Sequence, residues 1–87
     1  NNSALNQEIP LIDRAYKGTQ GTRPEEIWRH SRTDFSKVAE SFGCLGIRVE
    51  HPNDLNEALR QALSANRPVV VDVVSDERAF AREPWTP

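Results

Sequence analysis

The chain has 87 residues, 37% hydrophobic and 28% charged, and its eleven basic and thirteen acidic side chains leave a net charge of -2. That length is one domain's worth or less, and a compact fold of it buries only about 60–65% of the surface its unfolded chain exposes. No long single-sign run calls for nucleic acid or an anionic membrane, and apolar runs such as Val69-Val70-Val71 are far too short to span a bilayer. Cys44 is the single cysteine, which excludes an internal disulfide framework and fits a reducing cytoplasm. The chain opens on Asn1-Asn2 without Met, as expected of a processed, proteolysed or partial product of a longer chain.

Residues 1–32 read as polar and irregular, punctuated by Pro10, Gly18, Gly21 and Pro24. Within them Pro24 to about His30 is a short helix candidate, with Pro24 at its first position and Glu25 and Glu26 near its positive end. From Thr33, a plausible N-cap, the pattern turns regular. Phe35, Val38, Ala39 and Phe42 follow helical spacing, and Gly43 supplies a left-handed stop. Leu45, Ile47 and Val49 then alternate with Gly46, Arg48 and Glu50, predicting a strand with one apolar face. Pro52 suits a first helical turn, and His51, Asn53 and Asp54 compete as its cap. Leu55, Ala58, Leu59, Ala62 and Leu63 form one apolar stripe, expected to press on the sheet so that Leu59→Ala costs about 2–5 kcal/mol. Asn66 can close that helix in the left-handed conformation before Pro68. Val69 to Val74, β-branched except for Asp72, reads as a parallel strand covered on both faces.

Strand, helix and strand in about thirty residues make a right-handed βαβ unit. The fold class is α/β: a partial parallel sheet with flanking helices, a fragment of a doubly wound fold. Two strands cannot hide their own edges and faces, so more sheet is expected to flank them in the intact protein. The tail from Glu83 to Pro87, with two prolines, reads as a surface extension.

No constellation is self-sufficient for catalysis. Gly18-Thr19-Gln20-Gly21 lacks the Gly-Lys-Ser/Thr ending and the preceding strand of a phosphate cradle, and reads as a loop. His30 and His51 have no partners at metal-ligand spacing and suit surface or capping roles. Cys44 reads as a buried structural thiol, and Trp28 and Trp85 as local packing residues. Asp72, the one polar residue of an apolar strand, points to a helix N-terminus, a partner chain or a sheet end, and must be paired wherever it is buried.

Asn1-Asn2-Ser3, a variable loop, Thr33-Asp34-Phe35-Ser36-Lys37-Val38-Ala39-Glu40-Ser41-Phe42-Gly43, Gly46-Ile47-Arg48-Val49-Glu50 and Pro68-Val69-Val70-Val71-Asp72-Val73-Val74 occur in that order. The ordered set resembles the end of the diphosphate-binding domain in thiamine-diphosphate-dependent enzymes of the acetolactate synthase and pyruvate decarboxylase group. The resemblance implies that residues 1–87 are the C-terminal part of one such domain. Residues 1–32 would be its cofactor-side loop region, and residues 33–87 a helix-strand-helix-strand scaffold and tail. In that family the cofactor motif begins with Gly-Asp-Gly and ends with Asn-Asn; the aspartate, the second asparagine and a backbone carbonyl two residues later hold a divalent metal, usually Mg²⁺, that bridges to the cofactor diphosphate. Carried over, Asn2 supplies a side-chain oxygen and Ala4 a backbone carbonyl to the metal. Asn2, Ser3 and Ala4 form the cofactor-binding segment, and residues 3–12 line or cover the site. Neutral oxygens suit a hard cation bound to an anionic diphosphate.

The family glutamate that activates the cofactor lies in another domain, contributed by a neighbouring subunit. The implied partners are therefore the remainder of the parent chain, a second subunit and a 2-oxo acid substrate. The implied activity is decarboxylation or carboligation by a cytoplasmic enzyme, with these 87 residues inactive alone. The chain departs from the acetolactate synthase pattern after the asparagines, with Asn6-Gln7-Glu8 and Leu11 where those enzymes carry Gly-Met-Val and Trp. The reading from another class is a small non-catalytic α/β interaction or regulatory module.

Overall fold

The two valine-bearing segments become strands β1 (Leu45–Val49) and β2 (Val69–Val73), paired in parallel from Leu45↔Val69 to Val49↔Val73. They belong to a computed structural model that describes residues 1–16, 26 and 28–79. Strand alternation puts Gly46 and Arg48 on one face with Val70 and Asp72, and Leu45, Ile47 and Val49 on the other with Val69, Val71 and Val73. The compact unit they organise comprises Asn1 and Thr33–Ser75.

Helix α2 (Phe35–Ser41) covers the Gly46 face. A Cβ built on Gly46 would lie 2.0 Å from the Ser36 carbonyl oxygen, so glycine is what lets the helix backbone approach the strand so closely. The cap of α2 is Asp34, whose side chain accepts from Lys37 N at 3.2 Å, rather than Thr33. The helix begins one residue later than a Thr33 cap requires. Gly43 ends it at φ +81° as its position predicts. Ala39 and Ser36 are buried, whereas Phe35 and Val38 stand out and Phe42 is 82% exposed.

Helix α3 (Leu55–Ser64) follows a 3₁₀ turn, Pro52–Asp54, and Leu55 joins Val49 and Val73 of the other face around an apolar pocket of about 230 Å³. His51 precedes the turn and Asp54 the helix, and neither caps with its side chain; the His51 carbonyl accepts from Asp54 N at 3.0 Å. Asn66 adopts φ 50°, the left-handed stop anticipated from its place before Pro68. Only Ala58 of the α3 stripe is buried; Leu55 and Ala62 are half-buried, Leu59 is 44% exposed and Leu63 88% exposed. The expected contact of Leu59 with the sheet is therefore weak. Helices on opposite faces of parallel strands make this an α/β fold of the doubly wound kind.

Full cover on both faces of β2 is not seen among the described residues, since Val70, Val73 and Val74 are exposed. The far edge of β2 is occupied at one point. Asn1 N donates to the Val73 carbonyl at 2.7 Å and the Asn1 carbonyl accepts from Ser75 N at 2.9 Å, the bond pattern of parallel pairing.

The second unit comprises Asn2–Arg32 and Asp76–Pro87. Its start is not irregular: a 3₁₀ turn, Asn6–Glu8, leads into helix α1 (Ile9–Tyr16), with Pro10 in the first turn, where a missing N–H costs nothing. Buried Asn6 donates from Nδ2 to the carbonyls of Glu77 (3.1 Å) and Ala79 (3.2 Å). Trp28 is buried, in agreement with a packing role, with the Arg29 guanidinium 5.0 Å from its ring centroid. Arg29 forms an antiparallel bridge to Ala4, so the end of the Pro24–His30 segment is extended rather than helical. Pro24, Glu25 and Ile27 of that segment, the Gly18–Gly21 loop, Trp85 and the tail lie outside the described residues.

Candidate functional site

Asn2 folds its side chain back over its own backbone, and Oδ1 accepts from Ala4 N at 3.1 Å. Ser3, between them, takes φ 54°, a left-handed conformation that reverses the chain within two residues. The bridge to Arg29 is made by the neighbours of Ala4: Leu5 N donates to the Trp28 carbonyl (2.7 Å) and His30 N to the Ser3 carbonyl (3.0 Å). Neither polar group of Ala4 is used across that bridge. In antiparallel geometry the Ala4 carbonyl and N–H then face the opposite edge, where Asn2 Oδ1 already meets the N–H. Two neutral oxygens, Asn2 Oδ1 and the Ala4 carbonyl, thus share one edge. An amide oxygen has two lone pairs, so the bond to Ala4 N leaves Oδ1 able to accept again. That donor set is chemically suited to a hard divalent cation. Asn2 and Ser3 are half-buried and Ala4 is buried, which suits an Ala4 role through its backbone.

Among the described residues no group of three or more His, Cys, Asp or Glu side chains is arranged to hold a metal. His30 and His51 are both exposed, with His30 Nδ1 3.0 Å from the Ser31 carbonyl. Cys44 is a free, half-buried thiol, less enclosed than its sequence position suggests.

In the unit of Asn1 and Thr33–Ser75, polar contacts converge on Asp72, whose side chain is 1% exposed. Its Oδ2 accepts from Phe35 N at the start of α2 (2.9 Å), from Arg48 across the strand pair (2.9 Å) and from Asn1 Nδ2 (3.2 Å). Oδ1 has no hydrogen-bond partner. Of the three destinations its sequence left open, the helix N-terminus is the one observed. Arg48 also binds Glu50 at 3.0 Å. That hydrogen bond, with the negative charges of Asp34 and Asp72, holds its guanidinium above the ordinary value. Asn1 Nδ2 reaches the Thr33 carbonyl as well, at 2.7 Å. The sequence reading gave Asn1 no role of its own; the lone Asp in the β2 run was the signal that a polar partner lay nearby.

No helix among the described residues is long and apolar enough to cross a membrane. Residues 1–73 match the family model for the thiamine pyrophosphate enzyme, C-terminal TPP binding domain. The chain is 51% identical over 43 residues to an acetolactate synthase of Bacillus subtilis, covering 49% of this chain and 8% of that one. It is 36% identical over 78 residues to the acetolactate synthase large subunit of Haemophilus influenzae, covering 88% and 13%. With the isozyme 3 large subunit of Escherichia coli the identity is 35% over 79 residues, covering 87% and 13%. The chain thus spans only 8–13% of the length of these relatives. No solved structure matches it. The α/β architecture and a family match running from Asn1 through β2 agree: this chain belongs to the C-terminal TPP-binding domain family of thiamine pyrophosphate enzymes.

Proposed function

We propose that this chain is part of a thiamine-diphosphate- and Mg²⁺-dependent enzyme acting on a 2-oxo acid or related acyl donor by decarboxylation or carboligation. The observation that carries the reading is the pairing of Asn2 Oδ1 with the Ala4 backbone on one edge, inside a segment matched by the cofactor-binding family. In this reading Asn2 Oδ1 and the Ala4 carbonyl hold the metal, and Ser3 supplies the left-handed turn that sets their spacing. The cofactor, when bound, contributes the carbanion-stabilising chemistry, and this chain's residues contribute binding and orientation. Residues 1–32 form the cofactor-side region and residues 33–87 the scaffold. The relatives' names, acetolactate synthases, favour carboligation over simple decarboxylation. The family match weighs against a non-catalytic interaction module. The remainder of the parent chain and a second subunit complete the site, and the single thiol, Cys44, is compatible with a cytoplasmic location.

The test is the Mg²⁺-dependent apparent Kd for thiamine diphosphate in the full-length enzyme. Asn2→Ala should raise it on the order of 10–100-fold with circular dichroism unchanged. Ala4→Gly, which keeps the carbonyl, should change it far less. Wild-type binding by Asn2→Ala would reduce the asparagine pair to a turn and remove the assignment.

A further inference from the structure

Asn1 is held more tightly than a turn residue requires. Its backbone nitrogen donates to the Val73 carbonyl (2.7 Å), its carbonyl accepts from Ser75 N (2.9 Å), and its side-chain amide donates to both the Thr33 carbonyl (2.7 Å) and Asp72 Oδ2 (3.2 Å). The carbonyl held by Ser75 is half of the peptide group that joins Asn1 to Asn2. The side chain spans from the segment entering α2 to strand β2, and its acceptor on β2 is a buried carboxylate anchored by Phe35 N and Arg48. An amide NH₂ has two donors, and both are used here on acceptors belonging to different elements. Aspartate at position 1 would bring acceptors to both contacts and a second negative charge to Asp72. Alanine would leave both acceptors without this donor.

We infer that Asn1 is a positioning residue: clamped by Asp72 and Thr33, it fixes the point from which the metal-binding segment Asn2–Ala4 departs. The inference rests on the ligand assignment proposed above and adds to it a support that does not touch the metal. It also gives Asp72 a role beyond capping α2, since the oxygen that receives Phe35 N is the one that receives Asn1.

The experiment uses the full-length enzyme and two readouts that do not depend on turnover: the melting temperature without cofactor, and the apparent Kd for thiamine diphosphate across a Mg²⁺ titration. Asn1→Ala should raise the Kd on the order of 10-fold. Asp72→Asn can keep an oxygen in the Oδ2 position for Asn1 while losing the charge opposite Arg48, so it should lower the melting temperature yet bind cofactor within about threefold of wild type. Ala39→Gly, which loosens α2 away from Asn1, serves as a control for destabilisation alone. The expected pattern is a crossing one, with Asn1→Ala losing affinity out of proportion to stability and Asp72→Asn the reverse. If affinity simply follows melting temperature across the three variants, the clamp is structural only and the inference fails. If Asn1→Ala binds like wild type while Asn2→Ala does not, the inference fails and the ligand assignment stands. If neither variant loses affinity, both fail together.

Discussion

Asp34 caps α2 through its carboxylate, which accepts from the Ser36 hydroxyl and from Lys37 N (3.2 Å). The Ser36 hydrogen bond foremost, then the backbone amides and the Arg48 charge, hold the Asp34 carboxyl below its ordinary value of 3.8. A folded-state value below the unfolded one means that the cap contributes fully above the ordinary carboxylate range. Its contribution is lost as pH falls through the lowered folded value. Asn at position 34 can accept the same backbone hydrogen bond without titrating. Asp34→Asn should therefore flatten the acid limb of stability while leaving neutral-pH stability nearly unchanged. Urea midpoints measured between about pH 7 and pH 2 check this, and parallel acid limbs in the two proteins would rule it out. Asp72 differs from Asp34 in being buried, with three donors on one oxygen and none on the other. Its environment rewards geometry, because removal would take one acceptor from Arg48, Phe35 N and Asn1 Nδ2 together.

Within each element, small residues carry the packing. Gly46 admits α2 to the sheet, and Ala58 is the buried contact of α3, whereas the large apolar side chains of both helices mostly face outward. This inverts the expectation that Leu59 anchors α3. At 44% exposure Leu59 has about half its surface in water, so Leu59→Ala should cost about 1 kcal/mol rather than 2–5. Gly46→Ala should cost more, about 3 kcal/mol, because the added methyl meets the rigid Ser36 carbonyl rather than a flexible side chain. Urea unfolding of the two variants should rank them in that order. The reverse ranking would mean that α2 can move off the strand at little cost.

At the scale of the whole chain, the unit of Asn1 and Thr33–Ser75 has only two paired strands among its described residues and exposes Phe42, Val38, Leu63, Val70 and Val73. A two-stranded parallel sheet with such surfaces is marginal on its own. The isolated 87 residues should self-associate, which sedimentation velocity would report as a mass rising with concentration. They should also give no saturable heat on titration with thiamine diphosphate at micromolar concentration and excess Mg²⁺, since the proposed ligand set here is one side-chain oxygen and one carbonyl. Saturable binding by a stable monomer would mean that this piece is more self-sufficient than its surfaces suggest.

Local sequence signals specify the regular half of the molecule. The 3.6-residue stripes, the alternating and β-branched strands, Gly43 and Asn66 as left-handed stops, and the ordered motifs that mark the family are all local signals, legible because backbone propensity and side-chain period act over a few residues. The first thirty residues are less legible. Helix α1 is not legible locally because a polar stretch with a proline resembles a loop, although proline is tolerated in a first helical turn. Tertiary structure alone decided which positions of a stripe are buried, since that depends on what packs opposite: Gly46 meets the Ser36 backbone, and Leu63 meets water. It alone decided the partners of Asp72 as well. A buried carboxylate must find donors, but the donors it found lie 24, 37 and 71 residues away in the chain, and only the pairing of β2 with its neighbours and the docking of α2 bring them to one oxygen.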